Sequence, residues 1–333
     1  MPRGFRRRTP ASPRPADLLP PALPTIRPDS AFCRPGTLFD QFVVTRYWGE
    51  ERHARRGGRR PKGIPTSFRQ FDWLVGWLHG WGSVSSPPEK VFANPKILLP
   101  LLDCLKLNFG SRFHPKATLV VGGADVKLST CDEALLSELR FRFPGGIYWE
   151  AMDVNRDGVK VMPIGLLEAY LRGNERAIVK LSRTASSQNR QMKALAAWGA
   201  WFPELDRLIP DRQRARAFAA TSSLVLEANF STKRYFQELT RHEFMLCPEG
   251  NGVQSPKVYE ALMMGCIPIC TESPAYMGLK SNGWPIVIVG HWGEVTFEKL
   301  EQWQKEIRPL VSQFQQSMKT HAAWWKRVET LDG

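Results

Sequence analysis

Short apolar runs alternate with amphipathic stretches along most of the chain. Compact runs containing β-branched or aromatic residues predict strands at 116–121, 147–149, 159–166, 244–247, 266–270 and 286–289. Helical spacing of apolar residues, or alanine-rich composition, predicts helices at 67–81, 131–141, 192–201, 255–264 and 300–314, the last bent by Pro309. Because strands and helices alternate, we expect parallel sheets and an α/β fold.

The chain is long enough for two lobes. Its 333 residues exceed what one hydrophobic core usually serves. The strand predicted at 159–166 is closed by Pro163 and Gly165, and a polar stretch at 182–190 follows it. We therefore predict an N-terminal lobe over 63–165 and a C-terminal lobe over 166–333.

Residues 1–62 carry most of the formal net charge of +14 and are rich in Arg and Pro. This composition predicts a disordered basic tail rather than a surface for specific nucleic-acid binding. No apolar run approaches the roughly 18 residues that a membrane helix needs, so we expect no transmembrane segment in this chain.

The sequence offers no good metal site. Its six cysteines are scattered without a CxxC pair. Residues 153–158 resemble the start of a calcium-binding loop, but Arg156 interrupts the pattern and no Glu occupies its twelfth position.

Residues 244–270, FMLCPEGNGVQSPKVYEALMMGCIPIC, predict a strand, a glycine-containing loop, a helix and a second strand. Gly250 and Gly252 permit close approach of a ligand to the backbone. Ser255 suits the N-cap of the helix, and Gly265 suits its C-terminal end. A helix that begins directly after a strand presents N–H groups and a partial positive charge at the carboxyl edge of the sheet. Such a site favours an anion.

Two charged residues lie on the first two turns of this predicted helix. Lys257 can neutralise a phosphate, and Glu260, about one turn deeper, can accept hydrogen bonds from ribose hydroxyls. The alternative is a salt bridge between two solvated residues of an ordinary surface helix.

The string CPEGNGVQSPKVYEALMMGCIPI resembles the nucleotide-sugar-binding signature of the exostosin-like (GT47-type) glycosyltransferases, which belong to the GT-B superfamily. In that signature a Pro-x-Gly-x-Gly loop is followed by Ser, a basic residue, a Glu-Ala pair and Gly-Cys-Ile-Pro. The resemblance continues through residues 284–289 to His291 and Trp292. It implies a GT-B-like fold of two Rossmann-like lobes facing across a cleft, with the donor held by the C-terminal lobe.

The resemblance also implies transfer of a sugar from a nucleotide diphosphate sugar to a hydroxyl of a glycan or glycoprotein. By matching position, the implied donor residues are Gly250, Asn251 and Gly252 around the diphosphate, Ser255 and Lys257 as its partners, and Glu260 at the ribose. Lys257 stands where the family usually has Arg, which keeps the charge and loses the bidentate fork. No cofactor is required, because a cation and a helix N-terminus can stabilise the leaving diphosphate.

A second cation for the diphosphate is predicted from position. Arg190 is preferred because it directly precedes the helix predicted at 192–201. Arg183 and Arg234 are the alternatives.

A general base is needed if the transfer inverts the anomeric centre, and it should come from the N-terminal lobe. Asp125 is preferred because it follows a strand and two glycines. Glu150, Asp153 and His79 are weaker candidates. If the transfer retains configuration, Asp125 is a turn residue.

Two further readings remain beside the transferase. One is a catalytically inactive GT-B relative that binds glycans or a partner protein, and the other is a nucleic-acid-binding protein that uses its basic tail. The exostosin-like resemblance implies a Golgi or other secretory-lumen location, although the basic N-terminal stretch contains no signal anchor.

Overall fold

The computed structural model describes residues 26–27, 44–46, 71–75, 80–81, 85–167, 174–185, 189–198, 209–250 and 252–317. The strands of its first part are β1 (Ile26–Arg27), β2 (Val44–Arg46), β3 (Trp73–Val75), β4 (Gly80–Trp81), β5 (Lys90–Ala93), β6 (Thr118–Val121), β7 (Gly146–Trp149), β8 (Val159–Val161) and β9 (Leu166–Leu167). Those of its second part are β10 (Gln191–Ala196), β11 (Val225–Glu227), β12 (His242–Leu246), β13 (Ile267–Thr271) and β14 (Val287–Val289). The α-helices are α1 (Leu98–Phe109), α2 (Glu133–Arg142), α3 (Glu175–Thr184), α4 (Pro210–Thr221), α5 (Thr232–Arg241), α6 (Pro256–Met263), α7 (Pro274–Ser281) and α8 (Phe297–Ser317).

The N-terminal sheet has the strand order β1-β4-β3-β5-β6-β7-β8, and every neighbouring pair is parallel except β3 with β4. Crossover helices α1 and α2 join β5 to β6 and β6 to β7, as parallel pairing requires. The helix predicted at 67–81 is wrong where the structure describes it. Trp73–Val75 is instead a fully buried strand, and a run of three buried residues fits a strand covered on both faces better than one side of a helix.

The C-terminal sheet is entirely parallel, with the order β11-β10-β12-β13-β14. The helix predicted at 192–201 is wrong, because β10 occupies this region and lies between two neighbours. Its buried residues Ala194, Leu195 and Ala196 form the continuous apolar run of a central parallel strand. The helices predicted at 131–141, 255–264 and 300–314 and the strands at 244–247, 266–270 and 286–289 are confirmed within a few residues.

The topology of this second sheet creates a crevice. From β10 the chain crosses through α4 to β11 on one side, whereas β12 lies on the other side of β10. Ligands of open α/β sheets bind at such a switch point, outside the carboxyl ends of the strands. Here α4 and α6 both begin at that edge, since each follows a strand that ends there.

The carboxyl edges of the two sheets meet. The Gln254 side chain, in the loop after β12, donates to the carbonyls of Glu150 and Met162, which follow β7 and β8. Lys127 Nζ, in the loop after β6, lies 3.5 Å from Glu249 Oε1. Two α/β lobes that face each other along these edges confirm the predicted architecture.

Two short strands fall within the stretch predicted as a disordered tail. Ile26–Arg27 pairs with Gly80–Trp81, and Val44–Arg46 pairs with Leu166–Leu167. The remainder of 1–62 lies outside the described residues, and the predicted disorder of this stretch stays a prediction. The division at residue 165 stays a prediction.

Candidate functional site

The loop between β12 and α6 lies at the switch point. Ser255 takes the N-cap position with extended backbone angles, and its side chain makes no capping hydrogen bond. A Cβ on Gly250 would lie 3.3 Å from the Gln254 carbonyl oxygen, so the turn is tight at this position. Gly252 and Ser255 are buried, and Asn251 lies outside the described residues. The loop thus carries its backbone close to the start of α6.

Two helix N-termini converge at this edge. α4 and α6 each carry proline in the first turn, where the missing N–H is not needed by the helix. The first-turn N–H groups of both helices have no intrahelical partner, and each helix dipole adds partial positive charge. Because their preceding strands β10 and β12 are neighbours, the two ends favour the same anion.

Lys257, in the first turn of α6, points into this charged region. It is half-buried, and its Nζ lies 4.8 Å from the centre of the Tyr235 ring, a cation–π contact. Desolvation lowers the pKa of Lys257, the nearby Glu260 carboxylate opposes that shift, and Arg212 adds to it. Arg212 lies in the first turn of α4, at the same edge of the sheet.

Glu260 lies beneath these cations and is only 2% exposed. The Tyr235 hydroxyl donates to Glu260 Oε2 at 2.7 Å. Burial raises the pKa of Glu260, whereas Lys257 and the Tyr235 hydrogen bond act in the opposite direction. The alternative of a solvated salt bridge on a surface helix is therefore wrong, because the carboxylate is enclosed by the protein.

Asp211, which the sequence did not single out, organises the same edge. Its buried carboxylate accepts hydrogen bonds from the backbone N–H of Glu249 at 2.9 Å, the Thr271 hydroxyl at 2.9 Å and the Trp292 indole at 3.0 Å. These donors follow or end β12, β13 and β14. One side chain at the start of α4 thus fixes the loop, the adjacent strand end and the following turn.

Arg190 is not placed for donor binding. It precedes β10 and therefore lies at the amino edge of the sheet, opposite the loop after β12. Its guanidinium donates to four backbone carbonyls, those of Ala185, Leu239, His242 and Met264. A Cβ on Gly265, whose φ of +71° confirms the left-handed helix end, would lie 2.9 Å from Arg190 Nη2. Arg190 thus joins the ends of several helices and strands at the amino edge, and the prediction that it binds the donor is wrong.

Of the two alternative cations, Arg183 and Arg234, the structure describes the side chain of Arg234 alone. Arg234 pairs with the buried Glu238 at 2.5 Å on the same helix, which accounts for its charge. The side chain of Arg183 lies outside the described part of the structure. Arg212 is the cation that sequence reasoning missed, because 210–216 reads as an ordinary charged surface helix. Pro210 followed by an acidic residue was the available signal of a helix start.

The candidate bases of the N-terminal lobe differ in their exposure and in their hydrogen bonds. Asp125 is exposed, in a loop held by the Trp149 indole, which donates to the Val126 carbonyl at 3.0 Å. Glu150 is buried and accepts from the Gly123 N–H at 2.6 Å. Asp153 accepts from Ser129 through both its N–H and its hydroxyl. His79 lies outside the described residues.

Within the described ranges, no three His, Cys, Asp or Glu side chains are grouped as metal ligands would be. The same part of the chain contains no helix long and apolar enough to cross a bilayer.

Comparison with known proteins supports a glycosyltransferase relationship. Residues 212–328 match the family model described as RXYLT1 C-terminal domain. Over 114 residues the chain is 30% identical to Ribitol-5-phosphate xylosyltransferase 1 of Homo sapiens, an alignment that covers 28% of this chain and 26% of the human protein. The alignment thus spans about a quarter of that curated relative. A crystal structure of an alpha1,3-fucosyltransferase aligns over 87% of this chain and 88% of its own, with 14% identity and a TM-score of 0.33.

The matched region bears directly on the site. It includes Arg212, Lys257 and Glu260, and it excludes Arg190 and Asp125. The human relative has the name of a glycosyltransferase. The narrower resemblance to the exostosin-like family stays a prediction.

Proposed function

We propose that the protein is a glycosyltransferase that moves a sugar from a nucleotide diphosphate sugar to a hydroxyl of a glycan or glycoconjugate. The observation that supports it best is the convergence of two helix N-termini with Lys257 beside a buried carboxylate, Glu260. The helix N-termini and the ammonium suit a diphosphate, and the carboxylate suits a ribose.

The diphosphate lies along residues 250–252 in this proposal, with Ser255, Lys257 and Arg212 around it. Negative charge grows on the diphosphate as the bond to the sugar breaks. Preorganised N–H groups and cations stabilise that charge without reorganising, an effect of about 10²–10³ in rate for one well-placed donor. The chain thus needs no cofactor for this step.

Glu260 holds the ribose. Tyr235 fixes one carboxylate oxygen, Oε2, and within the described residues no hydrogen bond is made to the other, Oε1. That oxygen can accept from a ribose hydroxyl. Asp125 is the proposed general base for an inverting transfer, because it is exposed in the loop after β6, whereas Glu150 is buried.

The name of the human relative refers to xylosyl transfer and to ribitol-5-phosphate, so a xylosyl donor and a polyol-phosphate acceptor are the first pair to test. The secretory lumen is the location that the exostosin-like resemblance predicts.

Calorimetric titration of the full chain with UDP-linked and GDP-linked sugars, a xylosyl donor first, tests this function. Saturable binding of one donor, together with its slow hydrolysis or transfer, supports the transferase, and Asp125→Asn should reduce turnover but not affinity. Binding without any turnover would favour the catalytically inactive relative. A folded protein that binds no nucleotide or nucleotide sugar contradicts the transferase and also favours that alternative.

A further inference from the structure

One buried side chain of the donor loop is bonded almost entirely to the other lobe. Gln254 is 3% exposed and lies between Gly252 and Ser255. Its Nε2 donates to the Glu150 and Met162 carbonyls, both at 2.7 Å, and its Oε1 accepts from the Ile164 N–H at 3.3 Å. An amide is the side chain that supplies two donors and an acceptor to such a set.

Two tyrosines complete this contact. The Tyr259 hydroxyl, on α6, donates to Gln254 Oε1 and accepts from the Ile164 N–H at 3.1 Å. The Tyr276 hydroxyl, on α7, accepts from the Ser255 N–H at 2.8 Å. The start of α6 is therefore bonded on one side to the acceptor lobe and on the other to the next helix of its own lobe.

The ion pair that also joins the two lobes at this edge has a different character. Lys127 and Glu249 are both partly exposed, and their 3.5 Å separation is typical of a weak surface pair. Buried hydrogen bonds to backbone carbonyls are costly to break, since a buried carbonyl left without a partner has lost its hydration with nothing in return. The buried hydrogen bonds of Gln254, supported by Tyr259, are thus the stronger link between the lobes at this edge.

We propose that Gln254 is a positioning residue for the transfer reaction: it locks the donor loop against the ends of β7 and β8, so that the diphosphate site keeps a fixed register relative to the acceptor lobe. The substrate class in this proposal rests on the proposed function. The lock itself rests on the hydrogen bonds alone.

The test compares Gln254→Met with a matched control. Methionine has similar length and removes all three hydrogen bonds to the N-terminal lobe. Gln315→Met is the control, because the Gln315 amide donates to the Met263 carbonyl within its own lobe. Hydrogen exchange of the Ile164 amide and of the loop amides at 249–255 is measured by mass spectrometry, together with the affinity for UDP and GDP.

In Gln254→Met we expect exchange at Ile164 and in the loop to accelerate together at least tenfold, and nucleotide affinity to fall about tenfold, with neither change in the control. Faster exchange at Ile164 with an unchanged loop and unchanged affinity would overturn the proposal, because Gln254 would then only join the lobes. If Gln254→Met does not fold, Tyr259→Phe should show the same paired changes at smaller size, and an unchanged loop in that variant also overturns it. A wild-type protein that binds no nucleotide contradicts the proposed function, while the exchange data still decide whether the lock exists.

Discussion

The two edges of the C-terminal sheet both gather cations, but they use them differently. At the amino edge, Arg190 donates to four carbonyls, and Arg308 forms an ion pair with the buried Glu243 at 2.5 Å. At the carboxyl edge, Lys257 and Arg212 lie beside helix N-termini, which repel cations. Arg190 and Arg308 are bonded to carbonyls and a carboxylate of the protein, whereas Lys257 lies over the Tyr235 ring, near the buried Glu260.

Arg190 and Arg308 thus serve the fold, and Lys257 is the cation that the proposed function assigns to a ligand. Five residues of β12 lie between the two edges, a length of about 16 Å, so one anion cannot reach both sets. Substitutions at the amino edge should therefore change mainly the free energy of unfolding, and substitutions at the carboxyl edge should change mainly the nucleotide affinity.

The largest effect is expected from Arg190→Met. Removing the guanidinium leaves four carbonyls without their partner, and we expect a loss of about 3–5 kcal/mol in the free energy of unfolding. Urea denaturation measures this loss, and calorimetry at a temperature where the variant is folded should give wild-type nucleotide affinity. A specific loss of affinity in a stable variant would restore Arg190 to the donor site.

The region after Arg190 could not be assigned correctly from local sequence. Its donor role depended on a helix at 192–201, and alanine content predicted that helix because a short apolar run reads alike in a buried strand and a helix. Residues 191–196 form a strand because they pair with β11 and β12, and both of these strands lie far away in the chain. Elements bounded by local signals, such as α6 with its Ser255 cap and Gly265 end, were predicted within a residue or two.

The residues of the candidate site divide in the same way between those on one local element and those joined by distant contacts. Lys257 and Glu260 lie on one helix, so their spacing could be read directly. Tyr235, Asp211 and Gln254 act through contacts across 25 to 104 positions, which no local pattern reports. Their roles depend on which strand ends lie together at the carboxyl edge of the sheets.

At the carboxyl edge, Lys257→Ala should reduce affinity for the nucleotide diphosphate about 100-fold, equivalent to about 2.7 kcal/mol. The fold should lose less stability than in Arg190→Met, because the desolvation of the ammonium offsets its attraction to Glu260. Calorimetry and thermal unfolding measure the two quantities. Lys280→Ala, on the exposed last turn of α7, is the control. Unchanged nucleotide affinity in Lys257→Ala would remove Lys257 from the donor site.

Glu260→Gln tests the deeper part of the site. The amide keeps the shape and an acceptor for the Tyr235 hydroxyl but loses the charge. We expect affinity for nucleoside diphosphates to fall about tenfold, or about 1.4 kcal/mol, whereas affinity for inorganic pyrophosphate stays equal or rises. Equal losses for both ligands would mean that Glu260 does not contact the ribose.

The smallest effect is a dependence on pH that distinguishes the two edges without removing a side chain. The pKa of Lys257 lies below its usual value of 10.5 because desolvation disfavours the ammonium. A group with a lowered folded pKa stabilises the fold above its unfolded pKa, and that contribution is lost as pH falls through the folded pKa. Near neutral pH the charged Lys257 therefore costs the empty protein some stability.

Nucleotide binding has the opposite requirement, because the diphosphate needs the ammonium. Affinity should fall as pH rises through the folded pKa of Lys257, by at most about tenfold per pH unit. In Lys257→Arg this alkaline loss should disappear between pH 7 and 10, since a guanidinium stays charged there. Calorimetric titrations of nucleoside diphosphate across that range measure the loss, and the same loss in Lys257→Arg would assign it to another group. If the loss follows Lys257, stability and binding at this edge require opposite protonation states of one side chain, which is the behaviour of a cation kept for a ligand.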